Sequence, residues 1–484
     1  MNTSTSTQPV QQRARTKIVA TVGPACSSVD QLGGLLKAGV DVFRINTAHG
    51  NTEQHDQTLA NIREAASKQD RPVAVLVDLA GPKIRLGQLS TDPLECPMDA
   101  EFDFVEGETS SAPNELTTNY PKLVDELEEG NRVLLADGTV GLHVTSKTKD
   151  RARCKVFAPG ILRSRQGVNL PGVKLSVPSI TEADKRHAKW AAENDADFVS
   201  LSFVRSANDV IELKQMLTGL GSQAMTIAKI EKPEALDCLD AIVREAGGIM
   251  VARGDLGVEI DIEETPVQQK IIIDTCTRHE KPVIVATQML DSMQSSRRPT
   301  RAEASDVANA ILDGADACML SGETAIGDYP AESVEMMNRI MLATERLLPD
   351  GMARKVQPHP DLTSVNPVTE AVVHGAAKIA ERLHARLVAI QTKSGRTALA
   401  KAKQRDTIRT IAVSDTERVL RQMALFWGIE PVAGAPNGSA ALGKFIDQWG
   451  KENHVLEAGN YVVLMASADL PVGAHNGVVV HKVS

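Results

Sequence analysis

The chain has 484 residues and a mass of 51.9 kDa, enough for two or three domains. Apolar residues make up 42% and aromatics only 3%, so its cores must be aliphatic. A net charge of −9 and a pI near 5.7 exclude a general nucleic-acid binder and suit a cytoplasmic enzyme. No run of about 18 apolar residues offers a membrane span.

Met1 to Arg15 is rich in Ser, Thr and Gln, has no apolar stretch, and reads as a disordered tail rather than a secretory signal. From Thr16 onward, short β-branched runs recur, each followed by a polar or glycyl loop and a helical pattern. They are Lys17–Thr21, Val40–Ile45, Val73–Asp78, Phe198–Phe203, Met225–Ile230, Gly248–Ala252, Pro282–Thr287 and Asp316–Leu320. Strands alternating with helices in this way predict a (β/α)8 TIM barrel over 16–85 and 180–357, with its site at the C-terminal strand ends. Those ends carry Thr21, Arg44, Asn46, Asp78, Ser202, Lys229, Glu231, Asp255, Thr287, Ser321 and Glu323. A barrel shaped by stability alone needs no charged or hydroxyl group at every strand end.

One connection is far too long for a barrel loop. Over 86–179 the helical period fades, and turns such as Asp137-Gly138 and Lys149-Asp150 separate alternating runs such as Arg132–Ala136 and Ala152–Phe157. This predicts a β-rich lid domain inserted in the third βα loop, above the barrel mouth, where closure excludes water. Pro299-Thr300-Arg301-Ala302-Glu303 then opens a helix that runs to about Leu312, with Pro and an acid in the first turn.

After Pro358 the composition resets, and 358–484 reads as a separate α/β domain. Its helices are Thr369–Leu383 and Thr397–Gln404, and its strands are Arg386–Gln391, Thr407–Ser414, Tyr461–Ala466 and Gly477–Val483. The loop Thr392-Lys393-Ser394-Gly395-Arg396-Thr397 joins a strand to a helix start and has the chemistry of an anion nest. The six cysteines form no Cys-x-x-Cys pair and read as buried reduced thiols.

Two segments concentrate the chemistry. Lys229-Ile230-Glu231 and Arg253-Gly254-Asp255-Leu256-Gly257 each close an apolar run. Residues i and i+2 of a strand share a side, so Lys229 and Glu231 face one site. If the strands are neighbours, Glu231 and Asp255 converge on one hard cation, as two carboxylates do for Mg²⁺ beside a phosphate. Gly254 lets backbone N–H groups approach an anion, and a helix start at Asp255 adds its dipole.

Over nearly its whole length the sequence resembles the pyruvate kinase family. The resemblance is carried in order by Thr16–Pro24, Phe43-Arg44-Ile45-Asn46 through His49-Gly50, Asp78 through Gly81-Pro82-Lys83-Ile84-Arg85, and Gly167–Gly172. It continues with Lys229-Ile230-Glu231, Gly254–Gly257, Ala286–Leu290, Arg298–Glu303 and Met319–Thr324. The resemblance implies phosphoryl transfer from phosphoenolpyruvate to ADP, giving pyruvate and ATP. It implies Mg²⁺, with Mn²⁺ as a substitute, held by Glu231 and Asp255. Lys229 would stabilise charge in flight, Arg44 and Ser202 would contact the phosphoryl group, and Gly254, Asp255 and Thr287 would bind the substrate carboxylate. Thr287 with Ser321 and Glu323 behind it would relay the proton. Pro24, Asn46, His49, Arg85 and Arg165 would line the nucleotide side. Residues 392–397 would bind a phosphorylated effector, and the family's usual homotetramer is expected.

Two departures fall on one subsite. Ala48 stands where the family usually has a Ser that helps bind a monovalent cation. Lys83 stands where potassium-dependent members carry Glu. With Asn46 and Asp78 retained, the ammonium of Lys83 is expected to replace the cation, so that K⁺ is not required. The final loop, Ala466–Asn476, contains no Lys or Arg, which favours a monophosphate effector over a bisphosphate. Two other readings compete: a Mg²⁺-dependent phosphoenolpyruvate or pyruvate lyase or mutase barrel, and a catalytically dead nucleotide-sensing scaffold.

Overall fold

The computed structural model describes residues 13–349, 359, 362, 365–466 and 477–484. Eight parallel strands close into a barrel: β1 (Lys17–Thr21), β2 (Val42–Asn46), β3 (Ala74–Leu79), β4 (Phe198–Leu201), β5 (Met225–Ile230), β6 (Gly248–Ala252), β7 (Val283–Ala286) and β8 (Ala317–Leu320). Neighbours follow chain order, and β8 closes on β1 with Val19 opposite Met319. Helices cover the outside and side chains fill the inside, so every residue of β1, β3, β4, β6, β7 and β8 is buried. That is why these strands read as continuous apolar runs rather than alternating ones.

Strands four and seven end sooner than their β-branched runs predict. Phe203, Thr287 and Gln288 turn left-handed, with φ of 56°, 71° and 54°. A β-branched residue such as Thr287 enters that region only when its surroundings force it.

After β3 the chain leaves the barrel. It builds a six-stranded sheet from Glu101–Val105, Glu115–Leu116, Arg132–Leu135, Val140–Lys147, Arg151–Ala158 and Val168–Asn169, beside a two-stranded pair, Leu94–Cys96 with Gly160–Leu162. It returns to β4 through the helix Glu182–Glu193. This unit has its own core around Phe104, Leu142, Cys154 and Val156. Its alternation is visible in Arg151–Ala158, where Ala152, Cys154 and Val156 are buried between more exposed neighbours.

Arg13, Ala14 and Arg15, expected to belong to a disordered tail, are tied to the barrel. The Arg13 guanidinium donates to the Leu36 carbonyl at 2.7 Å, Ala14 N–H to Asn338 Oδ1 at 3.0 Å, and Arg15 N–H to Glu345 Oε2 at 2.9 Å. Backbone donors satisfied by side chains far along the chain tie this segment down.

The C-terminal unit is a five-stranded sheet. Leu387–Gln391, Thr410–Ser414, Ile429–Ala433 and Tyr461–Ala466 run parallel, and Gly477–Lys482 is antiparallel at one edge. Helices Pro367–Arg382, Arg396–Lys403, Glu417–Met423 and Gly438–Glu452 flank it. The sequence reading omits the strand Ile429–Ala433, because Glu430 and Pro431 interrupt its apolar run. Pro431 is tolerated because this strand forms the other edge of the sheet. The cysteines match expectation: five are buried, Cys238 is half-buried, and none is paired. Burial pushes the thiols of Cys154, Cys276 and Cys318 up to about 12, so they stay protonated and inert.

The C-terminal unit seals the barrel floor. Ala398, Leu399 and Ala402 of the helix Arg396–Lys403 join one continuous core with Val19, Leu76, Phe198, Met250 and Met319 inside the barrel. At the end of that helix, Lys403 Nζ lies 2.5 Å from Asp316 Oδ2, and both side chains are fully enclosed. Arg405 holds the other Asp316 oxygen at 3.1 Å. Arg421 makes a second anchor on the buried carboxylate of Asp197, at 2.7 Å. Replacing Lys403 by Met leaves Asp316 undercompensated in a dry floor. We expect Lys403→Met to cost about 3 kcal/mol, seen as a lower urea midpoint. An unchanged midpoint would contradict the pair's structural role.

Candidate active site

One buried carboxylate organises the C-terminal mouth of the barrel. Asp78, near the end of β3, accepts from Ser200 Oγ at 2.6 Å and from Arg44 Nε at 2.7 Å, and lies 3.5 Å from Lys229 Nζ. Burial opposes its charge, yet Lys229 and Arg44 outweigh burial and hold its pKa below the usual carboxylate value. Arg44 also donates to Thr21 Oγ1 at 3.0 Å. The two cations are therefore fixed side by side.

Lys229 is enclosed by its partners. Its ammonium donates to Ser202 Oγ at 2.7 Å and stands 2.9 Å from Glu231 Oε1. The i, i+2 relation on β5 thus places Lys229 and Glu231 on one side. Burial works against the Lys229 charge, but Asp78 and Glu231 prevail and raise its pKa above the ordinary lysine value. Glu231 is fully buried. Its Oε2 accepts from Phe203 N–H at 2.7 Å, while Oε1 has no aligned hydrogen-bond donor. Burial, with the nearby charge of Asp255 adding to it, raises the Glu231 pKa.

Asp255 sits in the first turn of the helix Arg253–Glu259, which follows β6 directly. β5 and β6 pair in parallel, so the two carboxylates leave adjacent strands. Among the described residues no cluster of three or more His, Cys, Asp or Glu can hold a metal. Glu231 and Asp255 are the two carboxylates that could hold a cation here, and one buried oxygen of Glu231 lacks an aligned donor.

Two expectations need correction. Lys83 does not join Asn46 and Asp78; it pairs with Asp255 at 3.2 Å. Asp78 is already saturated by Arg44, Lys229 and Ser200, and Asn46 Oδ1 accepts from Ala48 N–H at 3.1 Å. Ser321 and Glu323 do not reach the Thr287 hydroxyl. The Glu323 carboxylate instead accepts from Ser321 N–H at 2.7 Å and Leu290 N–H at 3.0 Å, tying the end of β8 to the loop after β7. Thr287 Oγ1 accepts from Gly254 N–H at 2.7 Å and donates to the Ala286 carbonyl at 2.5 Å. The two groups expected to read a substrate carboxylate are thus joined to each other.

Of the residues expected to line a nucleotide, Pro24 opens a short 3-10 turn, Pro24–Cys26. The carbonyl of His49 lies 2.8 Å from His55 Nε2. Arg85 donates to the Arg165 carbonyl at 3.3 Å, and Arg165 has φ of 67°. The structure brings Arg85 and Arg165 together where the lid begins and ends. No described hydrogen bond or ion pair joins them to Pro24, Asn46 or His49. Glu259 bridges the inserted unit and the barrel, accepting from Asn169 Nδ2 at 2.9 Å and from Lys232 Nζ at 2.7 Å.

In the C-terminal unit, residues 392–397 turn from the strand Leu387–Gln391 into the helix Arg396–Lys403. Gly395, at φ 75°, donates its N–H to Thr392 Oγ1 at 3.0 Å. Lys393, Ser394 and Arg396 are exposed, and Thr392 and Thr397 are buried. The final loop, 467–476, lies outside the described residues.

The sequence reading missed two residues that position the mouth. Ser200 holds Asp78, and its signal was a lone hydroxyl inside a buried strand. Arg253 donates to the Thr287 carbonyl at 2.9 Å and to Asp306 Oδ1 at 2.7 Å, fixing the left-handed turn from outside. Its signal was its place at the head of the Gly254-Asp255 motif.

A barrel mouth with buried cations, two carboxylates on adjacent strands and an inserted sheet beside it defines a phosphotransferase. Family models agree: the pyruvate kinase barrel domain matches residues 13–334, and the pyruvate kinase alpha/beta domain matches residues 370–481. The chain belongs to the pyruvate kinase family. Pyruvate kinase of Geobacillus stearothermophilus is 43% identical over 420 residues, covering 86% of this chain and 71% of that protein. The Mycobacterium intracellulare enzyme is 39% identical over 472 residues, covering 97% and 98%. A crystal structure of a pyruvate kinase from Cryptosporidium parvum matches with a TM-score of 0.89 at 33% identity, over 98% of this chain and 97% of that one. A match through both barrel and C-terminal domain disfavours the lyase or mutase alternative.

Arg253→Met removes the bridge between Thr287 and Asp306, and circular dichroism separates any loss of fold from a loss of positioning. Displacing Thr287 should lower kcat by about 10²-fold. Steady-state kinetics beside circular dichroism would check this, and a kcat near wild type would remove Arg253 from its positioning role.

Proposed function

We propose that the protein moves the phosphoryl group of phosphoenolpyruvate to ADP, giving pyruvate and ATP, with Mg²⁺ as cofactor and Mn²⁺ as a substitute. The observation that carries this reading is the pair of cations, Arg44 and Lys229, fixed on the buried Asp78 beside Glu231. A phosphoryl group in flight spreads negative charge over its oxygens, so an acceptor site must be cationic before the substrate arrives. Glu231 and Asp255 would hold the metal, which supplies positive charge on the substrate oxygens. Lys229 bears on the transferring group and the departing enolate oxygen, with Arg44 and Ser202 on the phosphoryl oxygens. Gly254, Asp255 and Thr287 face the carboxylate end. Thr287 is our assignment for the proton donor to the enolate carbon, with Ser321 and Glu323 bracing the adjoining backbone.

The nucleotide is assigned to Pro24, Asn46, His49, Arg85 and Arg165, beneath a lid that hinges at Asn169 and Glu259. Residues 392–397 are assigned to a phosphorylated effector, a monophosphate in preference to a bisphosphate. Their exposed Lys393, Ser394 and Arg396 at a helix start support that choice. A cytoplasmic homotetramer completes the reading; among the described residues no helix is long and apolar enough to cross a membrane.

A coupled pyruvate-release assay with phosphoenolpyruvate, ADP and Mg²⁺ tests the function. Pyruvate release without ADP would point to a lyase, and none at all to a dead scaffold. Lys229→Met should reduce turnover by about 10²–10³-fold or more, as loss of a group aimed at transition-state charge does. A mutant within about tenfold of wild type would release Lys229 from this role.

Catalysis is further proposed not to need K⁺. Lys83 brings a permanent positive charge against Asp255, beside the metal carboxylates, and Ala48 lacks a ligating hydroxyl. With only a bulky organic counter-ion present, added K⁺ should change the rate by less than about twofold. Activation of about tenfold or more would overturn the proposal. Lys83→Glu alone should impair the enzyme.

A further inference from the structure

The effector loop and the active site do not use up the basic groups of this chain. At the opposite end of the C-terminal sheet, an open cavity of about 570 Å³ is lined by Arg15, Ala380, Glu381, His384, Arg386 and Arg409, among others. The loop 392–397 leaves the C-terminal end of the strand Leu387–Gln391. Arg386 immediately precedes that strand, and Arg409 precedes Thr410–Ser414. The cavity therefore lies one strand length from the effector loop, where Arg15 of the barrel floor meets the C-terminal unit.

One of its three arginines is unpaired among the described residues. Arg15 lies 3.8 Å from Glu345, Arg409 lies 2.8 Å from Glu430, and Glu381 is taken by Lys378 at 2.9 Å. That leaves the Arg386 guanidinium, exposed and with no hydrogen bond or ion pair among the described residues, and His384 beside it in a left-handed turn at φ 47°. Arg409 is oriented by the Trp449 ring, 5.6 Å from its centroid. Ala380, Ala385, Ile408 and Val455 supply apolar walls. One unpaired guanidinium, Arg386, flanked by Arg15 and by Arg409, each already paired with a carboxylate, favours a planar or tetrahedral oxyanion that accepts paired hydrogen bonds. The volume and the apolar walls call for an organic body attached to it.

We propose that this cavity is a second anion site that binds a small organic phosphate bridging the barrel floor and the C-terminal domain. The phosphate is read by Arg386 with Arg15 and Arg409, and the body lies against Ile408 and Val455. Because Arg15 comes from the barrel and the other groups from the C-terminal unit, occupancy strengthens the docking that Lys403 and Arg421 already make.

The test separates this site from the effector loop by working in the Lys393→Ala, Arg396→Ala double variant of the full chain. Calorimetric titrations use adenosine 5′-monophosphate, glucose 6-phosphate and inorganic phosphate as probes. At least one organic phosphate should bind saturably to the double variant and raise its thermal midpoint. Adding Arg386→Glu should weaken that binding by about tenfold or more. Arg386 has no partner to lose, so the apo midpoint of that variant should be unchanged. Which organic probe binds tells a nucleotide source from a sugar source. No saturable binding to the double variant, equal binding after Arg386→Glu, or binding of inorganic phosphate as tight as that of the organic probes would each overturn the proposal.

Discussion

The mouth of this barrel depends on a buried carboxylate whose partners are the chain's own side chains. A site for a phosphorylated anion must be cationic, yet cations placed out of water are costly and repel one another. Asp78 resolves this by accepting Arg44 on one oxygen and lying beside Lys229 on the other side, with Ser200 completing its hydrogen bonds. Without it, Arg44 and Lys229 would have no common reason to point into one space. Much of the surrounding geometry follows from that fixed pair: Ser202 on the Lys229 ammonium, Glu231 against it, and the Phe203 N–H turned toward Glu231.

The second layer is backbone strain held by side chains. Phe203, Thr287 and Gln288 leave the strands in left-handed conformations. Each such turn is held in place by a polar partner: Glu231 on Phe203 N–H, Arg253 on the Thr287 carbonyl, and Glu323 on Leu290 N–H just beyond Gln288. Glu323, nearly fully buried, is kept above the usual carboxylate pKa by burial, although three backbone N–H groups, its own and those of Leu290 and Ser321, work the other way. These residues carry charge or hydroxyls at strand ends, yet several act on the backbone rather than on a ligand.

That distinction marks the limit of what the sequence could convey. The barrel was legible because strands buried on both faces are written as continuous β-branched runs, and the lid because its alternation changes the period. Lys229, Glu231 and Asp255 were legible because strand spacing and motif order place them on neighbouring ends. The partner of Lys83 was not, since the choice between Asp78 and Asp255 depends on the path of the chain between β3 and the lid. Ser321 and Glu323 looked like relay groups because a side chain's chemistry says nothing of whether it faces a hydroxyl or a backbone N–H. The strand Ile429–Ala433 was hidden by Pro431, which only its edge position permits.

The helix Arg396–Lys403 has a consequence for how this chain can be divided. Its first turn carries the Lys393–Thr397 loop, its middle completes the apolar interior of the barrel, and its last residue neutralises Asp316 beneath β8. Cutting the chain between its two family-defined portions would therefore uncover Leu76, Phe198 and Met319 from below, strip the enclosed Asp316 of both its cations, and leave Asp197 with Arg63 alone. The catalytic barrel is in this sense an unfinished vessel whose base was moulded from the neighbouring domain, and the two halves are obliged to be inherited, expressed and folded as one.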